Sequence, residues 1–273
     1  MPGHGHGSVG SSLRLARISG HNDGRFLFVP LDHSLSDGPI ATAAGFDSLV
    51  SDVVAGGADG VIVHKGRVRQ IDPQVLSRCS LVVHLSASTA HGPDAHAKVL
   101  VGDVEEAIRC GADAVSVHVN IGSDTEPAQL ADLGTVAGAC DRWGMPLLAM
   151  VYPRGPRVSD PSSPELLAHV VNIAADLGVD LVKTVFASPT ERMADVVRSS
   201  PIPIIVAGGN DTRQSLPHFA LAALSVGCSG LAVGRRVFGS ATPRAAVREL
   251  ADIVHGPQDS SRSLFSSRMA GVL

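Results

Sequence analysis

Gly57-Ala58-Asp59-Gly60-Val61, Gly111-Ala112-Asp113-Ala114-Val115 and Gly178-Val179-Asp180-Leu181-Val182 repeat one design along the chain, and Gly227-Cys228-Ser229-Gly230-Leu231 is a weaker fourth copy. In each, a glycine follows an amphipathic helical pattern, where it can take the left-handed cap conformation. A short polar residue then turns the chain into an apolar run. Outward from these turns, short apolar runs at 26–31, 60–64, 81–85, 114–119, 147–151, 181–184, 202–207 and 230–233 are expected to be strands. Helical patterns at 46–55, 104–109, 127–143, 164–177, 190–199, 213–226 and 243–254 lie between or after them, with only a short one at 72–78. The glycine turns enter the even strands, whereas the fifth and seventh follow Met145-Pro146 and Pro201-Ile202-Pro203. This parity predicts an α/β fold, a single (β/α)8 TIM barrel of four βαβα quarters, in preference to a doubly wound open sheet.

The bulk numbers agree. The chain has 273 residues, the usual size of one such barrel. It is 44% hydrophobic but 3% aromatic, so Val, Leu, Ile and Ala must build the core, as suits parallel strands buried on both faces. Residues 1–24, opening Gly3-His4-Gly5-His6-Gly7, are expected to be a flexible arm with room for a short helix around 13–18. The barrel is expected over 25–255, with order beginning at Phe26, and a tail over 256–273. His4 and His6 could bind a stray metal, but an unstructured tail is the simpler reading. A net charge of -4 gives no electrostatic reason to expect nucleic-acid binding. No stretch has the length of a membrane span or the core of a signal peptide, so a cytoplasmic enzyme that does not bind membranes is expected. The four cysteines form no CxxC pair and read as separate thiols in a reducing compartment.

In this fold the active site lies at the C-terminal ends of the strands. The polar exits are Asp32-His33-Ser34-Leu35-Ser36-Asp37, His64-Lys65-Gly66, His84-Leu85-Ser86, His118-Val119-Asn120, Tyr152-Pro153-Arg154-Gly155, Lys183-Thr184, Ala207-Gly208-Gly209-Asn210 and Gly234-Arg235-Arg236. Gly208, Gly209 and Gly234 let backbone amides approach an anion closely, and Arg235 adds a charge, at the two loops where such barrels cradle phosphate. Tight turns and a surface ion pair are the plainer alternative. The 22 basic residues include only three lysines, Lys65, Lys98 and Lys183. Any imine chemistry is confined to them. Lys183 sits in an apolar strand, which disfavours a charged amine, and is preferred to Lys65, whose neighbours Gly66-Arg67 suggest a loop. Tyr152, the single tyrosine, can relay a proton or merely fill the core. Asp32 can orient an amine or take its proton, or serve a structural ion pair. His33, His64, His84 and His118 raise a metal alternative, weakened by the lack of a His-x-His pair or HExxH. No metal site is therefore expected.

Beyond these readings, Val29-Pro30-Leu31-Asp32-His33, Gly102-Asp103-Val104-Glu105-Glu106-Ala107-Ile108, Val115 to Ser123, Trp143 to Met150, Tyr152-Pro153-Arg154-Gly155 and Val206-Ala207-Gly208-Gly209 together carry a resemblance. The chain resembles the archaeal-type class I aldolase family over about residues 12 to 255, including its 2-amino-3,7-dideoxy-D-threo-hept-6-ulosonate synthases and the bacterial aldolases of aminohydroxybenzoate biosynthesis. The resemblance implies Lys183 as Schiff-base lysine, Tyr152 as proton donor and Asp32 as proton acceptor. It further implies a substrate site of His33, Ser34, Leu35, Ser36, Pro153, Arg154 and His118, with phosphate on Gly208, Gly209, Gly234 and Arg235. The substrates implied are a phosphorylated ketone, foremost dihydroxyacetone phosphate, and L-aspartate semialdehyde. No cofactor is implied, and a homo-oligomer is expected. Two departures bear on the donor: Ser34 stands where a glycine is usual after Asp-His, and Val185-Phe186 follow Lys183-Thr184 in place of a more polar pair.

Overall fold

A computed structural model describes residues 8–209 and 214–256. Eight parallel strands close into a barrel: β1 (Phe26–Pro30), β2 (Gly60–Val63), β3 (Ser80–His84), β4 (Ala114–Ile121), β5 (Leu147–Pro153), β6 (Leu181–Thr184), β7 (Ile204–Ala207) and β8 (Gly230–Ala232). Sequential strands are neighbours throughout, and β1 closes the ring by pairing with both β2, Phe28 opposite Gly60, and β8, Phe28 opposite Ala232. All eight expected strands are present, each within two residues of its expected bounds.

The repeated turns explain the alternation. Gly57, Gly111 and Gly178 each have positive φ, so each ends a helix in the left-handed region. The aspartate two residues on then clips the preceding strand. Asp59 Oδ2 accepts from Leu27 N at 2.6 Å, Asp113 Oδ2 from Leu81 N at 3.0 Å, and Asp180 Oδ2 from Leu147 N at 2.8 Å. Each clip holds an odd strand to the even strand after it, which makes the quarter a physical unit as well as a sequence one.

Side chains alternate between two cores. Phe26, Phe28, Ile62, Val82, Ala114, Leu148, Leu181, Ile205 and Ala232 pack inside the barrel. Their neighbours Leu27, Val61, Leu81, Val115, Val182, Val206 and Leu231 pack outward beneath the helices.

Two features depart from expectation. Order begins well before Phe26, because the short helix allowed for around 13–18 is a longer one, Val9–Ile18, α1, capped by Ser8 Oγ on Ser11 N. Its Ile18, 2% exposed, joins Phe26 and Phe28 in the interior cluster and closes the bottom of the barrel, where open water would otherwise meet those rings. Ser80 Oγ donates to Arg17 O, and Arg14 donates to Gly144 O, fixing the helix across β3 and the base of the helix after β4. The second feature is a two-stranded antiparallel ribbon, Ser86–Ala87 with Val99–Leu100, in the segment that follows β3. The suggested metal site at His4 and His6 lies outside the described residues.

Candidate active site

Strand parity decides which exits face inward. Lys183 stands two residues beyond Leu181 and continues the inner column of β6. It is 7% exposed, and its Nζ lies 3.8 Å from Met150 Sδ on the adjacent strand. By the same alternation Tyr152 follows Leu148 and Met150 on β5, and Asp32 follows Phe28 and Pro30 on β1. Lys65 falls on the other parity after Ile62 and His64. Its Nζ is bound to Glu106 Oε2 at 2.6 Å, away from the mouth. The geometry thus separates the two lysines that sequence left in competition.

Lys183, Asp32, His33, His118, Tyr152, Arg154, Gly208, Gly209, Gly234 and Arg235 all line one cavity of about 270 Å³. Burial alone would raise the Asp32 carboxyl, but His33, His84 and Lys183 around it outweigh that and hold it well below the usual carboxylate range. His33 Nδ1 lies 3.4 Å and His84 Nε2 3.8 Å from its oxygens, so the attraction is electrostatic, and Asp32 Oδ1 and His33 Nδ1 are buried without hydrogen-bond partners. Such an acceptor is ready for a proton donor or a substrate hydroxyl. Burial pushes His84 down to about 4 despite Asp32, with its Nδ1 2.8 Å from Ser116 Oγ.

Across the cavity the Tyr152 ring is held on two sides. His118 meets it edge-on at 5.0 Å, and the Arg154 guanidinium lies 4.4 Å above it. His118 donates from Nε2 to Asn120 Oδ1, and burial drives its own basicity well down, so it is a neutral support. Gly234 is required for space, since a Cβ there would meet Pro30 O at 2.6 Å and His33 Cε1 at 2.9 Å. Packing alone therefore demands a glycine at that position.

Other expected contacts are not brought to this cavity. Ser34 and Leu35 line a neighbouring depression with His64, Lys65 and His84. Ser36 Oγ turns back to His33 O, and Pro153 is buried at the end of β5. Asn210 lies outside the described residues.

This arrangement matches a known family. Residues 26–240 fit the model of the DeoC/LacD family aldolases. The chain belongs to that family. The aldolase is 50% identical over 246 residues to the 2-amino-4,5-dihydroxy-6-oxo-7-(phosphonooxy)heptanoate synthase of Streptomyces griseus, covering 89% of this chain and 90% of that one. It is 39% identical over 258 residues to the 2-amino-3,7-dideoxy-D-threo-hept-6-ulosonate synthase of Halobacterium salinarum, covering 94% and 96%. In structure the aldolase resembles an archaeal fructose-1,6-bisphosphate aldolase whose catalytic lysine was captured as a carbinolamine. The TM-score there is 0.78 at 25% identity, over 90% of this chain and 100% of that one.

With the aldolase in hand, the histidines have other work. His64 Nδ1 donates to His84 O, and among the described residues the strand-exit histidines do not gather three donors around one point. The one group that does, His21, Asp59 and His255, lies at the opposite end of the barrel. There the two rings stack at 4.0 Å and 23°, so their planes do not converge on a shared ion. His255 instead bridges Asp23, at 2.8 Å from Nδ1, and Asp59, at 3.0 Å from Nε2, as a structural clasp.

The cavity wall includes Val185, expected near the donor, and also residues to which sequence reasoning assigned no role: Pro30, Asp37, Met150, Ala207 and Ala232. Parity from Leu148 was enough to find Met150. Asp37 had no such signal, because it sits in a loop. Phe186, expected beside the substrate, packs on Phe219 at 5.7 Å and leaves Val185 alone at the wall.

Proposed function

We propose that this aldolase joins dihydroxyacetone phosphate to L-aspartate semialdehyde, giving a seven-carbon amino keto acid that keeps its phosphate. The observation that carries the reading is one buried lysine at the top of the inner column, with Asp32, Tyr152 and two glycine loops around the same cavity. The product named for the Streptomyces griseus relative supports the choice of substrates. Its hydroxyl at carbon 4 stands β to the ketone at carbon 6, so an aldol disconnection falls between carbons 4 and 5. That leaves a four-carbon amino acid aldehyde and a three-carbon phosphorylated ketone.

In the mechanism, neutral Lys183 attacks the ketone carbon, and loss of water from the carbinolamine gives a protonated imine. That cation draws electrons from the adjacent carbon, whose proton leaves to Asp32, forming an enamine. The enamine carbon attacks the aldehyde. Tyr152 donates its proton to the new alkoxide, and hydrolysis of the product imine frees Lys183. The loops at Gly208-Gly209 and Gly234-Arg235 hold the phosphate, which fixes the reacting carbons relative to Nζ.

A second reading keeps the lysine and changes the donor. Val185 gives the cavity an apolar wall two residues from Lys183, which suits the methyl ketone of a deoxyhexodiulose phosphate and transfer of a phosphate-free unit. Borohydride reduction with dihydroxyacetone phosphate, followed by peptide mapping, is expected to label Lys183, with K65R still labelled and K183M not. Mass spectrometry after addition of aspartate semialdehyde should show a phosphorylated product. Labelling at Lys65 sinks the mechanism. A phosphate-free methyl ketone formed from the diulose transfers the chain to the second reading.

A further inference from the structure

The charges around the cavity do not balance if the phosphorylated ketone is its only occupant. Asp32 lies among His33, His84 and Lys183, which hold it as a carboxylate. The donor phosphate, a dianion, is served by Arg235 and the glycine loops. Two charges remain. Asp37, from the loop after β1, and Arg154, from the end of β5, both line the cavity. Neither has an ion-pair partner among the described residues, and they do not pair with each other. The Arg154 guanidinium carbon lies over the Tyr152 ring, 4.4 Å from its centroid, and guanidinium N–H groups pair readily with a carboxylate. A carboxylate at the mouth of a dianion site repels that ligand, so Asp37, already drawn to Lys98, gains further only from a ligand that carries a cation. A phosphorylated ketone brings none. An α-amino acid brings one ammonium and one carboxylate on the same carbon.

From this we infer that Asp37 and Arg154 form the acceptor subsite, Asp37 receiving the α-ammonium and Arg154 the α-carboxylate of an amino acid aldehyde. The inference rests on the aldol reading and adds what selects the acceptor. Arg154 lies beside Tyr152, which protonates the new hydroxyl two carbons from the amino acid centre. The acceptor therefore spans from the rim to the enamine without displacing the donor phosphate. Asp37 is a specificity-determining residue in this arrangement, because an aldehyde without the ammonium leaves it unpaired.

The experiment compares kcat/KM for aspartate semialdehyde and for succinate semialdehyde, which differs only in lacking the amino group. Wild-type enzyme is expected to prefer the amino acid. D37N should lower that preference by about 10-fold or more, the loss expected for one charge-assisted hydrogen bond, while borohydride with dihydroxyacetone phosphate still traps the imine. D37E should restore part of the preference. R154Q should weaken both acceptors alike, since both keep the carboxylate. Equal loss on both acceptors in D37N, loss of donor trapping in D37N, or a wild-type enzyme indifferent to the amino group overturns the acceptor subsite and leaves the lysine mechanism standing. Failure of the wild type to trap donor at Lys183 overturns the aldolase mechanism itself.

Discussion

Lys183, Tyr152 and Asp32 come from strands far apart in sequence, yet one rule places all three: each occupies the next inward position above a core residue. The rule makes distinct demands on each side chain. Tyr152→Phe keeps the packing against His118 and Arg154 and removes only the hydroxyl. Turnover should fall about 100-fold or more, the scale of a lost proton relay, while borohydride trapping of the donor imine persists. Unchanged turnover would make the ring a packing element. At the phosphate end, Arg235→Ala should raise KM for dihydroxyacetone phosphate by the equivalent of about 1.5–3 kcal/mol, because a charge-assisted contact is lost. Dihydroxyacetone, lacking the phosphate, should feel little of that change in steady-state kinetics, and an equal effect on both donors would remove Arg235 from the cradle.

At the scale of elements, the barrel was legible because its strands are buried on both faces and announced by a repeated turn. The turn also had a cause that sequence could not display: the aspartates are clips between strands. Asp113 Oδ2 accepts from Leu81 N, so Asp113→Ala leaves a part-buried amide without its partner and should cost about 1–3 kcal/mol in denaturant unfolding. A cost near zero would mean that water replaces the carboxylate. The docking of α1 was not legible, since its amphipathic signal is short and a Gly-His-rich stretch precedes it. Ile18→Ala tests the docking, with an expected loss of about 2–5 kcal/mol for a large-to-small change in a closed core. The ribbon 86–87 with 99–100 escaped notice because two-residue strands show no period. Asp37 escaped for a related reason: a loop carboxylate has no periodic partner, and only the cavity reveals its direction.

Across the whole molecule, the first and last described segments meet beneath the barrel. His255, from the closing helix, is bonded to Asp23 after α1 and to Asp59 before β2. Burial opposes charge on its ring, but Asp59 and Asp23 outweigh it, so His255 is more basic in the folded protein than in the unfolded chain. Its contribution to stability is therefore complete below the unfolded value, about 6.5, and fades as pH rises through the higher folded one. The gap in Tm between wild type and His255→Gln should be wide at pH 6 and narrow at pH 9, measured by thermal unfolding. A gap that widens with pH would mean that the ring is bound neutral.

The same underside carries a built-in optical reporter. Trp143 is the only tryptophan of the chain. It is 49% exposed at the base of the helix after β4, its Nε1 bonded to Glu105 Oε1, and its backbone carbonyl lies within reach of Arg14 on α1. Intrinsic emission therefore watches the floor of the barrel, remote from the chemistry at its mouth. Saturating the enzyme with dihydroxyacetone phosphate should leave the emission maximum where it was, whereas Arg14→Ala, by loosening α1, should move it to the red. Fluorescence separates detachment of the floor from occupancy of the site, so each can be followed in a single cuvette without a label.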